Sequence, residues 1–249
     1  MTDRVIQSLW IGNSLSAMER LSIQSFLANG HDFHLYCYED VEGVPAGTVV
    51  KDGNEILPER RIFAYADGFA KGSHAAFSNH FRYKLLLDRG GWWVDTDIVC
   101  IRSFDLPDKR MWASERADPP RDLIVSTCVI KAPPGDPLMA WAWDRCQEID
   151  VASARFGQFG PRLLQAGVDA LNAHRFMRPH TFFCPIAFNE WARVLDPADP
   201  CELGPEVYGI HLWNQMWSAN AMDKNAAFPA GSLFERLKQR FLTARSDVR

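Results

Sequence analysis

Residues 90–100, GGWWVDTDIVC, limit the choice of fold and site more than any other segment of the chain. They have the pattern of a buried strand, yet carboxylates are rarely buried unless they are paired or bind a metal. On a straight strand, Asp95 and Asp97 would share one face, about 6.6 Å apart along the chain, with Thr96 on the other face. We expect one carboxylate to bind a divalent cation directly and the other to act through water or a ligand hydroxyl. An exposed edge strand with two solvated carboxylates is the alternative.

Strand and helix patterns alternate along the first 150 residues, which favours an α/β fold with a mainly parallel central sheet flanked by helices. We expect one domain over residues 1–249. In such sheets, ligands bind beyond the carboxyl ends of the strands, which is where the aspartates fall. The predicted elements are strands at Val5–Trp10, Phe33–Tyr38, 90–100 and Ile124–Ile130, helices at 15–29, Ser73–Asp88, Leu138–Ile149 and Leu233–Thr243, and a loop at 41–60.

The composition excludes several classes of protein. Of 249 residues, 47% are apolar and 23% charged, which is ordinary for a globular protein. The net charge of −4 argues against a nucleic-acid partner. The six cysteines include no C-x-x-C pair, which favours reduced, buried thiols over a disulfide framework. Because no signal peptide or membrane-spanning run is present, we expect a cytoplasmic protein, with contact to the inner face of the membrane as an option.

The helix that precedes the aspartates carries a polar cluster. Ser78 and Asn79 lie four and three residues before Arg82, so that all three side chains share one helix face. Arg82 would then lie beside the strand that bears the aspartates, within reach of an anionic or hydroxylated ligand. The alternative is a surface arginine that pairs with Asp88 or Glu39.

These two segments together resemble a known family. The run S-N-x-x-R-Y-x-L-L-x-x-x-G-G-W-W-V-D-T-D, residues 78–97, resembles the signature of the family 32 glycosyltransferases, the "sugar-binding region containing DXD motif". The segments LWIG (9–12), HLYCYED (34–40), VSTCVIKAPPGDPL (125–138), FGP (159–161) and HLWNQMW (211–217) are also similar to that family. The resemblance implies a GT-A-like fold. It also implies that residues 1–137 bind nucleotide sugar and metal, and that residues 138–249 form the acceptor side and the C-terminal helix.

The resemblance assigns a donor site. Trp10 would lie against the nucleotide base, and Arg82 and Asn79 would hold the donor sugar and its phosphate. We include Ser78 and Thr96 in the same nucleotide-sugar site. The implied donor is UDP-hexose or GDP-mannose.

The resemblance also assigns a metal site and catalytic residues. Asp95 would contact ribose and metal, Asp97 the metal, and His211 would complete the coordination of Mn²⁺ or Mg²⁺. The catalytic residues are then Asp97, Arg82 and Trp217. A metal held by two carboxylates offsets the charge that grows on a leaving pyrophosphate.

Three positions depart from the family pattern. Asn79 replaces the usual aspartate, Thr127 replaces an asparagine, and Met216 replaces the serine before the closing tryptophan. These departures affect the identity of the sugar more than the type of reaction.

The implied reaction retains the anomeric configuration and transfers a hexose to a hydroxyl of a glycan or lipid-linked glycan, such as a cell-surface polysaccharide or lipopolysaccharide core. Gln158 and Asn214 are candidates for groups near the anomeric carbon, and Trp213 and Trp217 for stacking on a sugar. Two other functions stay open. They are a DxD-type phosphatase or phosphotransferase, whose nucleophile would lie on the first strand, and a non-catalytic metal-dependent carbohydrate-binding module.

The last predicted helix carries an apolar stripe and an excess of basic residues. Leu233, Phe234, Leu237 and Phe241 form the stripe, and five basic residues outweigh two acidic ones from Ser232 onward. The pattern suits an anionic lipid surface, and packing of the stripe on the domain is the alternative. The basic residues are Arg236, Lys238, Arg240, Arg245 and Arg249, and the acidic ones are Glu235 and Asp247.

Overall fold

A computed structural model describes residues 4–117 and 122–243. Within these residues, the strands are β1 (Val5–Leu9), β2 (Asp32–Cys37), β3 (Val49–Asp52), β4 (Gly91–Val94), β5 (Ile98–Cys100), β6 (Met111–Arg116), β7 (Leu123–Ala132) and β8 (Gly209–His211). The α-helices are α1 (Ala17–Ala28), α2 (Ala75–Arg89), α3 (Pro137–Glu148), α4 (Pro161–Ala170), α5 (Asn214–Ala219) and α6 (Leu233–Leu242). Short 3-10 helices lie between them, of which Phe188–Leu195 is the longest in the described residues.

The central sheet has the strand order β3-β2-β1-β4-β7-β6 in the part of the chain that the structure describes. The first four strands are parallel, and β7 is antiparallel to both β4 and β6. The carboxyl ends of β1, β4 and β6 therefore meet at one edge of the sheet, where β7 begins. Helices flank the sheet, so that the predicted α/β fold with a mainly parallel sheet is confirmed.

The two tryptophans of the opening segment show how the sheet is covered. Trp92 packs on the face that α1 covers, and Trp93 packs on the face that α2, α3 and α4 cover. Both are almost completely buried. Adjacent strand residues point to opposite faces, so one dipeptide anchors both halves of the core.

Helix α2 begins and ends at defined residues. It begins at Ala75, two residues after the predicted start, and Ser73 accepts a hydrogen bond from the Ala75 N–H. It ends at Arg89, and the next residue, Gly90, has a φ of +65°, which is costly for other residues. A Cβ atom at Gly90 would also lie 2.5 Å from the Pro134 ring, so the close approach of β4 to that loop requires glycine.

The prediction of one strand over residues 90–100 is wrong. β4 ends at Val94, and the hydrogen bond from the Ile98 N–H to the Asp95 carbonyl closes a turn. β5 then leaves the central sheet and pairs antiparallel with β8. A turn places alternate side chains differently from a strand, so the predicted 6.6 Å spacing does not apply. The predicted loop at 41–60 likewise contains β3 and two 3-10 helices.

The apolar stripe of α6 packs inside the molecule. Leu233, Phe234, Leu237 and Phe241 are all buried, against α1 and the 3-10 helix Phe188–Leu195. The stripe is therefore not exposed to a lipid surface, and the alternative of packing on the domain is the correct one. Arg245, Asp247 and Arg249 lie outside the described residues. Among the described helices, none has the length and apolar character needed to cross a bilayer.

Candidate active site

The turn after β4 brings the two predicted carboxylates together with a histidine. Asp95, Asp97 and His211 each offer one ligand atom, and these three atoms lie within 4.8 Å of one another. Asp97 and His211 are buried, whereas about a quarter of the Asp95 side chain is exposed. β5 pairs Ile98 with His211, which fixes the histidine opposite the end of the turn.

Arg82 of α2 holds Asp95 in place. Its Nη1 lies 2.8 Å from Asp95 Oδ1 and donates to the Thr127 carbonyl, and its other donors reach the Ser78 carbonyl and Oγ. A guanidinium has five N–H groups, so these four contacts leave one for a ligand. Trp93 Nε1 also donates to Asp95 Oδ1, at 2.9 Å. Ser78, Asn79 and Arg82 lie on one helix face, as predicted. Arg82 is buried and is not a surface arginine, and its main role here is to position Asp95.

Asp97 is held from the other side of the turn. Its Oδ2 lies 3.2 Å from His211 Nε2 and accepts the backbone N–H of Asn214 at 2.8 Å. That N–H points at the carboxylate because Trp213 adopts a left-handed conformation, with φ +58°. The cost of this conformation is of the order of 1 kcal/mol or more. The indole of Trp213 stacks on His211 with ring centroids 3.8 Å apart and donates to the Ile186 carbonyl.

The two carboxyl groups differ in acidity although they are two residues apart. Burial raises the pKa of Asp95 to about 6, against the opposing effect of Arg82. Burial acts in the same direction on Asp97, but the charge and hydrogen bond of His211 outweigh it and lower the pKa of Asp97. Burial opposes the charge on His211, and the nearby Asp97 and Cys128 still raise its pKa well above the usual value.

A cleft of about 1030 Å³ opens over this group of side chains. It lies at the carboxyl ends of β1, β4 and β6, the position predicted for the ligand. Most of the residues predicted for the site line it. They are Trp10, Ser78, Asn79, Arg82, Asp95, Thr96, Asp97, Thr127, His211, Trp213, Asn214 and Met216.

Trp217 does not line the cleft, so the prediction that it is a catalytic residue is wrong. Its side chain is completely buried against Trp191, Phe228 and Phe234, and its Nε1 donates to the Leu212 carbonyl. Trp213 precedes α5 in a left-handed conformation and lines the cleft, whereas Trp217 lies within α5 and packs in the core. Gln158 also lies outside the cleft lining, and its Oε1 accepts the Arg155 N–H.

Several buried polar atoms of the cleft lack a partner among the described residues. These are the side-chain carbonyl oxygens of Asn79 and Asn214 and the indole Nε1 of Trp10. A buried polar atom without a hydrogen bond costs about 1–3 kcal/mol. Because all three residues line the cleft, a polar ligand is the natural partner for them.

Sequence reasoning missed Glu115. It lies near the carboxyl end of β6, hydrogen-bonds to Ser126 and lines the cleft. Burial raises its pKa to about 7. The sequence analysis predicts no strand over Met111–Arg116, so it does not place the Glu115 carboxylate at the same edge of the sheet as Asp95.

The donor set of the site fits a divalent cation. Two carboxylates and one imidazole suit Mn²⁺, and carboxylates with water suit Mg²⁺. Asp95 uses Oδ1 for Arg82 and Trp93, and Asp97 uses Oδ2 for His211 and Asn214, so the second oxygen of each carboxylate is the atom that could bind a cation.

Comparisons with known proteins bear on this site. Residues 17–117 match the family model of the "Glycosyltransferase sugar-binding region containing DXD motif". The matched region holds Arg82, Asp95 and Asp97 but ends before His211. No curated protein matches the chain.

Among solved structures, the chain is similar to the "PaToxG Glycosyltransferase", with 13% identity, a TM-score of 0.51, and coverage of 97% of this chain and 86% of that one. At this identity the likeness shows a shared fold. A second structure, a transferase mutant with two cysteine-to-serine substitutions, has 11% identity, a TM-score of 0.46, and coverage of 71% of this chain and 91% of that one. Over residues 17–117, the chain is therefore similar to glycosyltransferases with a sugar-binding region containing the DXD motif.

Proposed function

We propose that the protein is a metal-dependent glycosyltransferase that moves a hexose from a nucleotide sugar to a hydroxyl of a glycan, with retention at the anomeric carbon. One observation carries the proposal: Asp95, Asp97 and His211 converge at the base of a cleft. The two aspartates lie inside the matched family region, and the histidine lies after it.

Asp95, Asp97 and Nε2 of His211 would hold Mn²⁺ or Mg²⁺. When bound, such an ion offsets the negative charge that develops on the leaving pyrophosphate. Arg82 fixes the orientation of Asp95, and the Asn214 N–H fixes that of Asp97, so both carboxylates are pre-oriented before a ligand arrives. Preorganised charge of this kind is usually the largest contribution to catalysis.

The remaining polar groups would bind the donor. The ring of Trp10 would lie against the nucleobase, where its free Nε1 could donate a hydrogen bond. Ser78 and Asn79 would contact hydroxyls of the sugar, and Thr96 lies on the turn between the two carboxylates. Asn79 packs against Gly160, where a Cβ atom would lie 3.3 Å from its amide nitrogen, so glycine leaves room for this side chain at the donor end.

The transfer itself breaks the bond from the anomeric carbon to the pyrophosphate oxygen and forms a bond from that carbon to the acceptor oxygen. In a front-face reaction, the proton of the acceptor hydroxyl passes to the departing phosphate oxygen, and no covalent intermediate is needed. The side-chain oxygen of Asn214 is buried in the cleft without a partner, so it is our candidate for stabilising positive charge at the anomeric carbon. Glu115 is a further candidate for a hydrogen bond to a sugar hydroxyl.

We propose a cytoplasmic reaction on a growing cell-surface glycan, such as a polysaccharide or lipopolysaccharide core. The test is a panel of UDP- and GDP-sugars, each incubated with and without Mn²⁺, in which release of nucleoside diphosphate is measured. We expect release from one donor that needs the metal. Phosphate release from a phosphomonoester would favour the phosphatase instead, and sugar binding without any nucleotide response would favour the carbohydrate-binding module.

A further inference from the structure

A second group of metal-ligating side chains lies behind the proposed cation site. Cys128 of β7, Cys184 and His211 each offer one atom within 4.8 Å of the others, and all three residues are buried. The two Sγ atoms are 3.6 Å apart, and Cys184 Sγ lies 3.9 Å from His211 Nδ1. Cys128 and His211 also line the cleft, which gives an ion a route to the group.

These separations match those of a tetrahedral thiolate site. With metal–sulfur bonds of about 2.3 Å and metal–nitrogen bonds of about 2.0 Å, tetrahedral angles place two sulfurs about 3.8 Å apart and sulfur and nitrogen about 3.5 Å apart. The observed distances differ from these by a few tenths of an ångström. Two thiols that share a hydrogen bond are about as far apart as two thiolates on one metal ion, so a metal ion could replace the shared proton with little movement of the sulfur atoms.

His211 faces two different donor sets. Its Nε2 faces the carboxylate of Asp97, and its Nδ1 faces the sulfur of Cys184. Carboxylates select ions such as Mn²⁺ and Mg²⁺, whereas thiolates select soft or borderline ions such as Zn²⁺. A neutral imidazole has one nitrogen lone pair free to bind and a proton on the other nitrogen, so it serves one of the two sites at a time.

We propose that Cys128, Cys184 and Nδ1 of His211 form a thiolate site for Zn²⁺ or a similar thiophilic ion. Occupation of this site leaves the proton on Nε2, so His211 can still donate to Asp97 but cannot bind the cation that Asp95 and Asp97 would hold. The consequence for the nucleotide cation rests on the proposed function, whereas binding of the thiophilic ion does not.

The test of binding is a titration of the full chain with Cd²⁺ in the absence of nucleotide. We expect a thiolate-to-metal charge-transfer band that saturates at one ion per chain. Cys128→Ser and Cys184→Ser should each weaken the affinity by more than the roughly 10- to 100-fold that loss of an outer-shell partner costs. Cys146→Ser, at another buried cysteine, is the matched control and should leave the titration unchanged.

Cadmium NMR of the wild-type chain tests for sulfur ligands without a variant, because the chemical shift of the bound cadmium ion depends on whether sulfur coordinates it. No charge-transfer band in the wild type, or a band that persists when both Cys128 and Cys184 are serine, would show that the two thiols only fill the core. A band that Cys146→Ser removes would assign the ion elsewhere.

The test of competition adds Zn²⁺ to the wild type and measures how far Mn²⁺ with a nucleoside diphosphate raises the melting temperature. We expect Zn²⁺ to reduce that rise in the wild type but not in Cys128→Ser. If Cd²⁺ binds through sulfur while Zn²⁺ leaves the nucleotide response intact, the thiolate site stands and its competition with the cation is wrong. If Mn²⁺ and nucleotide give no rise at all, the proposed function fails, independently of the thiolate titration.

Discussion

The two sides of the D-x-D turn neutralise their aspartates by different means. On the α2 side, Arg82 pairs with Asp95, and this arginine is fixed by Ser78 and Thr127. On the β8–α5 side, His211 and a backbone N–H hold Asp97. An arginine stays protonated at any accessible pH, whereas a histidine can lose its proton and become a metal ligand.

The difference assigns a separate task to each side. Apart from Thr127, the α2 side lies within the matched family region, and it supplies a permanent positive charge that orients Asp95. The β8–α5 side lies outside that region and supplies a group that can exchange a proton for a metal ion. The site is therefore complete only when the two parts of the chain pack together.

The largest expected effect is at Asp97. Asp97→Asn removes one formal charge from the cation site, so transfer should fall by roughly 10³-fold and metal affinity should fall with it. The measurements are donor turnover and the rise in melting temperature with Mn²⁺ and nucleoside diphosphate. Asp88→Asn, on the exposed face of α2, is the matched control.

Asp97→Asn should not stabilise the metal-free protein. Removing the charge of Asp97 would relieve its repulsion with Asp95. However, Asp97 is paired with His211 and its pKa is lowered, so the variant also loses a favourable interaction. A variant that keeps its full response to Mn²⁺ would mean that the two aspartates are not the metal site.

Arg82→Lys should have the next largest effect, a loss of about 10²-fold in transfer, because an ammonium cannot reproduce the planar contacts to Asp95, Thr127 and Ser78. A positioning role predicts weaker metal binding as well as slower transfer. The metal dependence of the melting temperature is therefore measured beside the rate. Arg89→Lys, at an exposed pair on the same helix, is the control, and equal metal affinity in Arg82→Lys would refute the positioning role.

His211→Ala should lose less than Asp97→Asn, about 10-fold in transfer, because a neutral imidazole contributes less to charge balance than a carboxylate. The concentration of Mn²⁺ needed for half-maximal rate should rise by a similar factor. His180→Ala, at a partly exposed histidine outside the cleft, serves as the control. A loss as large as that of Asp97→Asn would contradict this ranking, because it would mean that the site needs the imidazole as much as the carboxylate that it faces.

Much of the fold and half of the site could be predicted from local patterns. The strand before the aspartates and the spacing of Ser78, Asn79 and Arg82 follow from the sequence periods of strands and helices. The turn at Asp95 could not be predicted, because the residues VDTDIVC suit a continuing strand. What bends the chain is the pairing of β5 with β8, more than 100 residues later.

The rest of the site depends on such distant contacts. Trp213 and Trp217 have equal claims by composition, and only the left-handed conformation of Trp213 before α5 distinguishes the residue at the cleft from the one in the core. Cys128 and Cys184 are 56 residues apart and meet only through the packing of the segment 183–184 under β7. The apolar stripe of α6 has the same pattern whether a membrane or α1 covers it.

The smallest expected effect is at Glu115, which belongs to neither side of the turn. Because burial raises the pKa of Glu115 to about 7, the folded state holds this proton more tightly than the unfolded chain does. Glu115 therefore contributes stability that is fully present below its ordinary pKa of about 4.5 and is lost as the pH rises through about 7.

Glu115→Gln keeps a hydrogen-bonding side chain without the titration. The free energy of unfolding of the variant, relative to wild type, should then rise between about pH 5 and pH 8 by roughly 1–3 kcal/mol. Urea unfolding at several pH values, without metal or nucleotide, measures this difference. Glu59→Gln, at an exposed 3-10 helix, is the control and should show no such rise. A pH-independent difference for Glu115→Gln would mean that the carboxylate is solvated in the cleft and ionised throughout, so that it faces a ligand as a fixed negative charge.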